Sequence, residues 1–235
     1  MKMPFRSRSP RGGDDEGAVL GSAARWRERW ARLCDWLALG VPALAAGDRL
    51  LAHYSEAGRY YHTPDHVLRC LEALDRYPAA IDDPDAVELA IWYHDSVYVV
   101  GAGPGENEAA SARLFRAEFL PVASERVNGE RVERYILATC HHGAPDDADS
   151  GLVMDIDLAV LGEESPRYQQ YASDIRREYA RIPEPDYRSG RAEVLKGILG
   201  RRSIYTTNHF RKLYEERARA NLVAELDRLA GRAGA

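Results

Sequence analysis

The sequence predicts an all-α fold, a helical bundle, on three observations. Apolar residues recur at steps of three and four in almost every segment from Ser22 onward, the spacing that lines one face of a helix. No stretch alternates apolar and polar residues for more than a few positions, so strands leave no signal. Two helix starts are spelled out as Thr63-Pro64 and Asp83-Pro84, a capping oxygen followed by a proline at a position where the missing N–H has no intrahelical partner anyway.

Taken in order, the first helix runs from Ser22 with Trp26, Trp30, Leu33 and Leu37 as its buried stripe. Residues 42–57 form a second helix with Leu44, Leu51 and Tyr54 on its apolar side. The Thr63-Pro64 start leads through Leu71 and Leu74 to about Tyr77, and the Asp83-Pro84 start leads through Val87, Ile91, His94 and Tyr98 on one face. A glycine-rich loop at 101–105 follows, then helices over about 106–119, 129–142, 150–162, 166–181, 187–200 and 207–230. Residues 1–21, rich in Arg, Ser, Gly and Asp, read as a mobile tail. Residues 22–235 read as one domain, with Pro183-Glu184-Pro185 as a rigid break that can set helices 187–230 apart as a subdomain.

Composition narrows the class. A chain of 235 residues with 45% hydrophobic and 29% charged side chains can bury a substantial core. No apolar run approaches the roughly 20 residues that a spanning helix needs, and the basic N-terminus has no apolar run behind it, so neither a membrane protein nor a secretory signal is expected. Three widely spaced cysteines, Cys34, Cys70 and Cys140, suggest reduced thiols and a cytoplasmic location. Net charge is −5, but both ends are basic, and residues 14–200 carry −13. Such a body repels polyanions, which argues against general nucleic-acid binding, and attracts divalent cations.

Polar residues in apolar company mark four candidate segments: RYYHTPDHVLRC (59–70), ELAIWYHDSVY (88–98), ILATCHH (136–142) and GLVMDIDLAVLG (151–162). In the last, Met154, Asp157, Leu158 and Leu161 share a stripe, which turns Asp157 toward the core. An unpaired buried carboxylate costs several kcal/mol, so it must neutralise, pair or bind a metal. Taken singly, an inward histidine such as His62 or His142 is most simply a hydrogen-bonded core residue, and Asp155 and Asp157 could cap neighbouring helices. Five inward histidines together with two buried aspartates favour a shared cation. His53 and His209 lack such company. Other schemes are weaker: there is no G-x-S-x-G elbow or Walker loop, and Gly101–Gly105 has no strand before it. Cys140 beside His141 lacks an orienting third group, and zinc-type Cys–His spacing is missing.

The ordered set His66, then His94-Asp95, then a distant Asp157 in a D-x-D-L context resembles the HD superfamily of metal-dependent phosphohydrolases. YHTPDHV, WYHDSVY, NEAASA, ILATCHH, MDIDLAVLG and SIYTTNHFRKLYEERARANLVAEL are similar to a bacterial subfamily of predicted metal-dependent HD phosphohydrolases, from about Leu50 to Leu226. The resemblance implies an HD-type bundle with a metal site between core helices, and His66, His94, Asp95 and Asp157 as ligands. It gives His62 and His142 auxiliary places in the same cavity, and makes Asp155 a group that orients a ligand or serves as auxiliary base. The chain lacks a further HxxH pair after His94-Asp95, so a second ion would have to use His62 or His142.

Two imidazoles and two carboxylates leave open octahedral positions and suit Mn, Fe, Co, Ni or Mg better than a closed zinc site, with one or two ions bound. The expected chemistry is hydrolysis of a phosphate mono- or diester, such as that of a nucleotide, by a water that the metal activates. Glu108 or Asp155 would accept the water's proton, Arg59 or His62 would neutralise the phosphate, and Asn107 would line the site. Glu108 in the first turn of a helix is equally explained by the helix dipole. The last helix, with Arg211, Lys212, Arg217 and Arg219, reads as a substrate lid or a solvated face with pairs such as Glu215–Arg219. A non-catalytic nucleotide- or metal-sensing module and a di-iron oxygenase are the alternative readings of the same residues.

Overall fold

A computed structural model describes residues 21–140 and 144–231; the expected tail falls on residues outside this range, apart from Gly21. Among the described residues there are ten α-helices and no strand, as the sequence pattern predicts. They are α1 (Ser22–Trp36), α2 (Val41–Tyr54), α3 (Pro64–Asp75), α4 (Pro84–Tyr93), α5 (Glu106–Glu118), α6 (Gly129–Ala138), α7 (Ala148–Asp157), α8 (Ser165–Glu178), α9 (Glu184–Leu199) and α10 (Asn208–Leu229). Short 3-10 segments cover Leu120–Val122 and Leu158–Gly162. No helix among the described residues is long and apolar enough to cross a membrane.

The described residues divide into two compact units, one of residues 21–57 together with 62–140, the other of 58–61 with 144–231. The division lies before α7. Pro183 and Pro185 start α9, with Pro183 as N-cap and Pro185 in the first turn, where a missing N–H is tolerated.

The first unit is organised around indoles. Trp26 and Trp30 of α1 pack edge-on against Trp92 of α4, with ring centroids 4.6 and 5.1 Å apart, and Trp30 also meets Phe119 at 5.6 Å. The two α1 indole N–H groups reach carbonyls of α2: Trp26 Nε1 donates to Gly47 O at 3.0 Å and Trp30 Nε1 to Ala43 O at 2.8 Å. A Cβ on Gly47 would lie 2.3 Å from the Trp30 ring, so this helix crossing requires glycine. Every residue of α4 from Ala86 to Tyr93 is buried, and this fully enclosed helix delivers His94 and Asp95.

In the second unit α7 is buried from Asp149 to Ile156, and the chain then tightens into the 3-10 segment that ends at Gly162. That glycine lies against α10, where a Cβ would meet Tyr214 Cβ at 2.3 Å and its Cα at 2.8 Å. Asn221 of α10 donates to Leu161 O and Glu163 O, both at 2.9 Å, and ties the same turn down.

Candidate metal centre

α3 begins where the sequence places it, with Thr63 as N-cap by position and Pro64 at the first turn, although Thr63 makes no side-chain capping bond. This start puts His66 in the first turn, with its side chain buried. α4 begins with a true cap: Asp83 accepts from the Ala86 N–H at 3.0 Å. It ends at Tyr93, five residues short of the predicted helix through Tyr98.

The early stop has a local cause. The Ile91 carbonyl accepts a hydrogen bond from His94 Nδ1 at 2.8 Å. The Asp95 N–H donates instead to the Tyr54 hydroxyl at 3.2 Å, and that hydroxyl donates to Trp92 O at 3.1 Å. Val97 N–H turns to Ser111 Oγ at 3.1 Å and Val99 N–H to Asn107 Oδ1 at 2.9 Å. Side chains of α2 and α5 thus replace the helical carbonyls, and His94-Asp95 sits in a turn held from outside.

The Nδ1 bond also fixes the His94 tautomer. A carbonyl only accepts, so Nδ1 carries a proton and Nε2 is the ring atom turned toward the other candidate ligands. That Nε2 lies 3.0 Å from His66 Nε2 and 3.0 Å from Asp95 Oδ2, and His66 Nε2 is 3.5 Å from the same oxygen. A neutral His94 would face a carboxylate lone pair to lone pair at 3.0 Å, so the arrangement calls for positive charge at this point. Burial alone would raise the Asp95 carboxyl, but the charges of His94 and His62 and hydrogen bonds from His66 and His94 outweigh it. They hold Asp95 well below the usual carboxylate range. His66, His94, Asp95 and Asp157 form a group that could hold a metal ion, each offering one ligand atom within 4.8 Å of the others. The donor set, two imidazole nitrogens and two carboxylates, fits a divalent ion with open positions.

The remaining candidates separate by position. His62 stacks on Tyr98, with centroids 3.9 Å apart and planes at 26°, and its Nε2 is 3.8 Å from Asp95 Oδ2. Asn107 closes the loop before α5, accepting from the Val99 N–H and returning a bond to Val99 O at 3.3 Å. Glu108 is half-buried in the first turn of α5. Arg59 lies in the 58–61 segment of the second unit, where the Tyr60 and Tyr61 N–H groups donate to Glu178 at 2.8 Å. His142 lies outside the described residues, and α6 ends at Ala138.

The two aspartates of α7 differ from expectation. The sequence stripe turns Asp157 into the core, yet Asp157 is half-buried while Asp155 is 1% exposed. α7 is buried nearly all round and ends at Asp157, so its periodicity carries no facing signal. Asp155 is satisfied without a metal. Oδ1 accepts from Thr206 N–H at 2.7 Å and Thr206 Oγ1 at 3.1 Å, and Oδ2 accepts from Thr207 N–H at 2.7 Å. Burial raises its carboxyl above the ordinary range against these bonds. Asp155 therefore anchors the segment that starts α10.

The last helix carries the predicted i,i+4 pair and exposes Arg211, Lys212 and Arg217. Glu215 accepts from the Ile204 and Tyr205 N–H groups and from Ser203 Oγ, and pairs with Arg219 at 2.8 Å. Arg219 in turn donates to Leu199 O and Arg201 O, so the predicted pair clamps the turn before α10. Sequence reasoning placed Tyr54 only in the core, and did not single out Ser111. It also passed over Cys70, one helical turn after His66, whose Sγ is 3.8 Å from both of that ring's nitrogens. The i,i+4 spacing to His66 was the available signal.

No family model matches the chain, and no curated protein or solved structure matches it either.

Proposed function

We propose that the protein is a metal-dependent phosphohydrolase that cleaves a phosphate mono- or diester of a small molecule such as a nucleotide. The observation that carries this reading is the meeting of His66 Nε2, His94 Nε2 and Asp95 Oδ2 within 3.0–3.5 Å, with His94 Nε2 directed inward by the Nδ1 bond to Ile91. Asp157 is the fourth ligand in this account. A bound divalent ion would supply Lewis-acid polarisation of a phosphoryl oxygen and an acidified water.

The chain's own residues do the rest. Tyr54, through the Asp95 N–H, keeps the carboxylate aimed at the two imidazoles. His62, braced by Tyr98, is placed to stabilise negative charge beside Asp95. Glu108 is the candidate to take up the proton of the attacking water, because both oxygens of Asp155 are already engaged by Thr206 and Thr207. Arg59 and Asn107 are the remaining candidates to contact substrate, and Mn, Fe, Co, Ni and Mg are the candidate ions.

The test is phosphate release from a panel of nucleotides, phosphodiesters and sugar phosphates by protein loaded with each ion in turn. Turnover that disappears with a chelator and in His94→Ala supports the proposal. Saturable nucleotide binding without turnover under any ion replaces it with a sensing module, and oxygen consumption by the iron form replaces it with an oxygenase.

A further inference from the structure

The second unit carries a recess of about 490 Å³ among α8, α9 and α10, whose lining includes Arg176, Arg188, Arg228, Gln169 and Ser173. We infer that this recess is a binding site for a small phosphate-bearing anion, an assignment that does not rest on the proposed hydrolase activity.

The argument is one of charge and preorganisation. Two acidic groups line the recess, and both are already matched: Glu184 pairs with Arg176 at 3.0 Å, and Glu225 pairs with the half-buried Arg191 at 2.8 Å. The Glu225 carboxylate also accepts from Tyr168 at 2.5 Å. Arg188 and Arg228 are left without a carboxylate among the described residues, a surplus of two positive charges on a chain whose residues 14–200 carry −13. A phosphate monoester near neutral pH carries close to two negative charges and matches that surplus.

Two of the three arginines are held in place before any ligand arrives. Arg188 donates through Nε to Leu229 O at 2.7 Å and through Nη2 to Arg228 O at 3.2 Å, at the C-terminus of α10. Its Nη1 retains two donors. Arg176 donates to Tyr179 O at 2.7 Å and stacks over Tyr187 at 4.5 Å. Anchored guanidinium groups lose little further entropy on binding, and their fork geometry matches phosphate oxygens. The volume suits a small molecule. The amide and hydroxyl of Gln169 and Ser173 favour a hydrophilic body such as a sugar.

The experiment is calorimetric titration of inorganic pyrophosphate into the full chain at fixed ionic strength, with EDTA present so that no metal contributes a phosphate site. Wild-type protein should bind in a saturable one-to-one manner. Arg228→Glu and Ser173→Asp, at exposed positions, should each weaken binding at least tenfold while leaving the circular dichroism spectrum unchanged. Either variant alone tests the site if the other fails to fold. Absence of saturable heat, or wild-type affinity in both variants, overturns the assignment. A phosphoserine peptide that binds tenfold more tightly than pyrophosphate overturns the small-molecule class.

Discussion

Tyr54→Phe removes a single oxygen from a fully buried side chain, and the structure sets the cost. The hydroxyl accepts from Asp95 N–H and donates to Trp92 O, so its loss strands one donor and one acceptor of the backbone next to the candidate metal centre. Each stranded group costs about 1–3 kcal/mol when no water reaches it. Partial relaxation brings the expected destabilisation to about 2–3 kcal/mol, a fall in Tm of roughly 4–12 °C for a chain of this size. All four tryptophans lie in the first unit, so intrinsic fluorescence during urea unfolding reports on that unit. Because Asp95 also loses its backbone tether, metal affinity should fall in the same variant. Stability within about 0.5 kcal/mol of wild type, the range of an ordinary surface substitution, would refute the claim that Tyr54 holds the His94-Asp95 turn.

Other expectations concern the second unit. Gly162→Ala drives a methyl group into the backbone and Cβ of Tyr214 and should destabilise by about 1–3 kcal/mol, read by thermal unfolding followed by circular dichroism. Burial opposes ionisation of Glu215, but bonds from Ile204, Tyr205, Arg219 and Ser203 outweigh it and lower its carboxyl below 4.5. A depressed carboxyl contributes stability that is full above the unfolded value and fades as pH falls through the folded one. The stability gap between wild type and Glu215→Gln, measured by urea unfolding, should therefore be widest near pH 6 and close progressively below pH 4.5. A gap that stays constant with pH would show that the Glu215 charge contributes nothing.

Much of the helical plan is legible in the chain because its signals are local. Trp26, Trp30, Leu33 and Leu37 repeat at helical steps and are all buried, and the Asp83-Pro84 start is a working cap. What the sequence could not show is where fully buried helices stop and which way they face. α4 and α7 are enclosed nearly all round, so their periodicity is silent on facing. The end of α4 is fixed by Tyr54, Ser111 and Asn107, which lie 41, 14 and 8 positions from the groups they bond. His66, His94 and Asp95 were recognisable by type and order, and the structure brings them together. The greater burial of Asp155 was not legible, since its partners Thr206 and Thr207 are some 51 residues distant. Asn107 stood out in the sequence for chemistry, whereas the structure shows it closing a loop.

The most direct measurement is binding of Mn²⁺ to chelator-stripped protein, by calorimetry with elemental analysis of the product. The account predicts saturable binding that His94→Ala and Asp157→Ala each abolish or weaken at least a hundredfold, while their circular dichroism spectra remain those of a folded helical protein. Undiminished binding in both folded variants, or no binding of any divalent ion by wild-type protein, would contradict it.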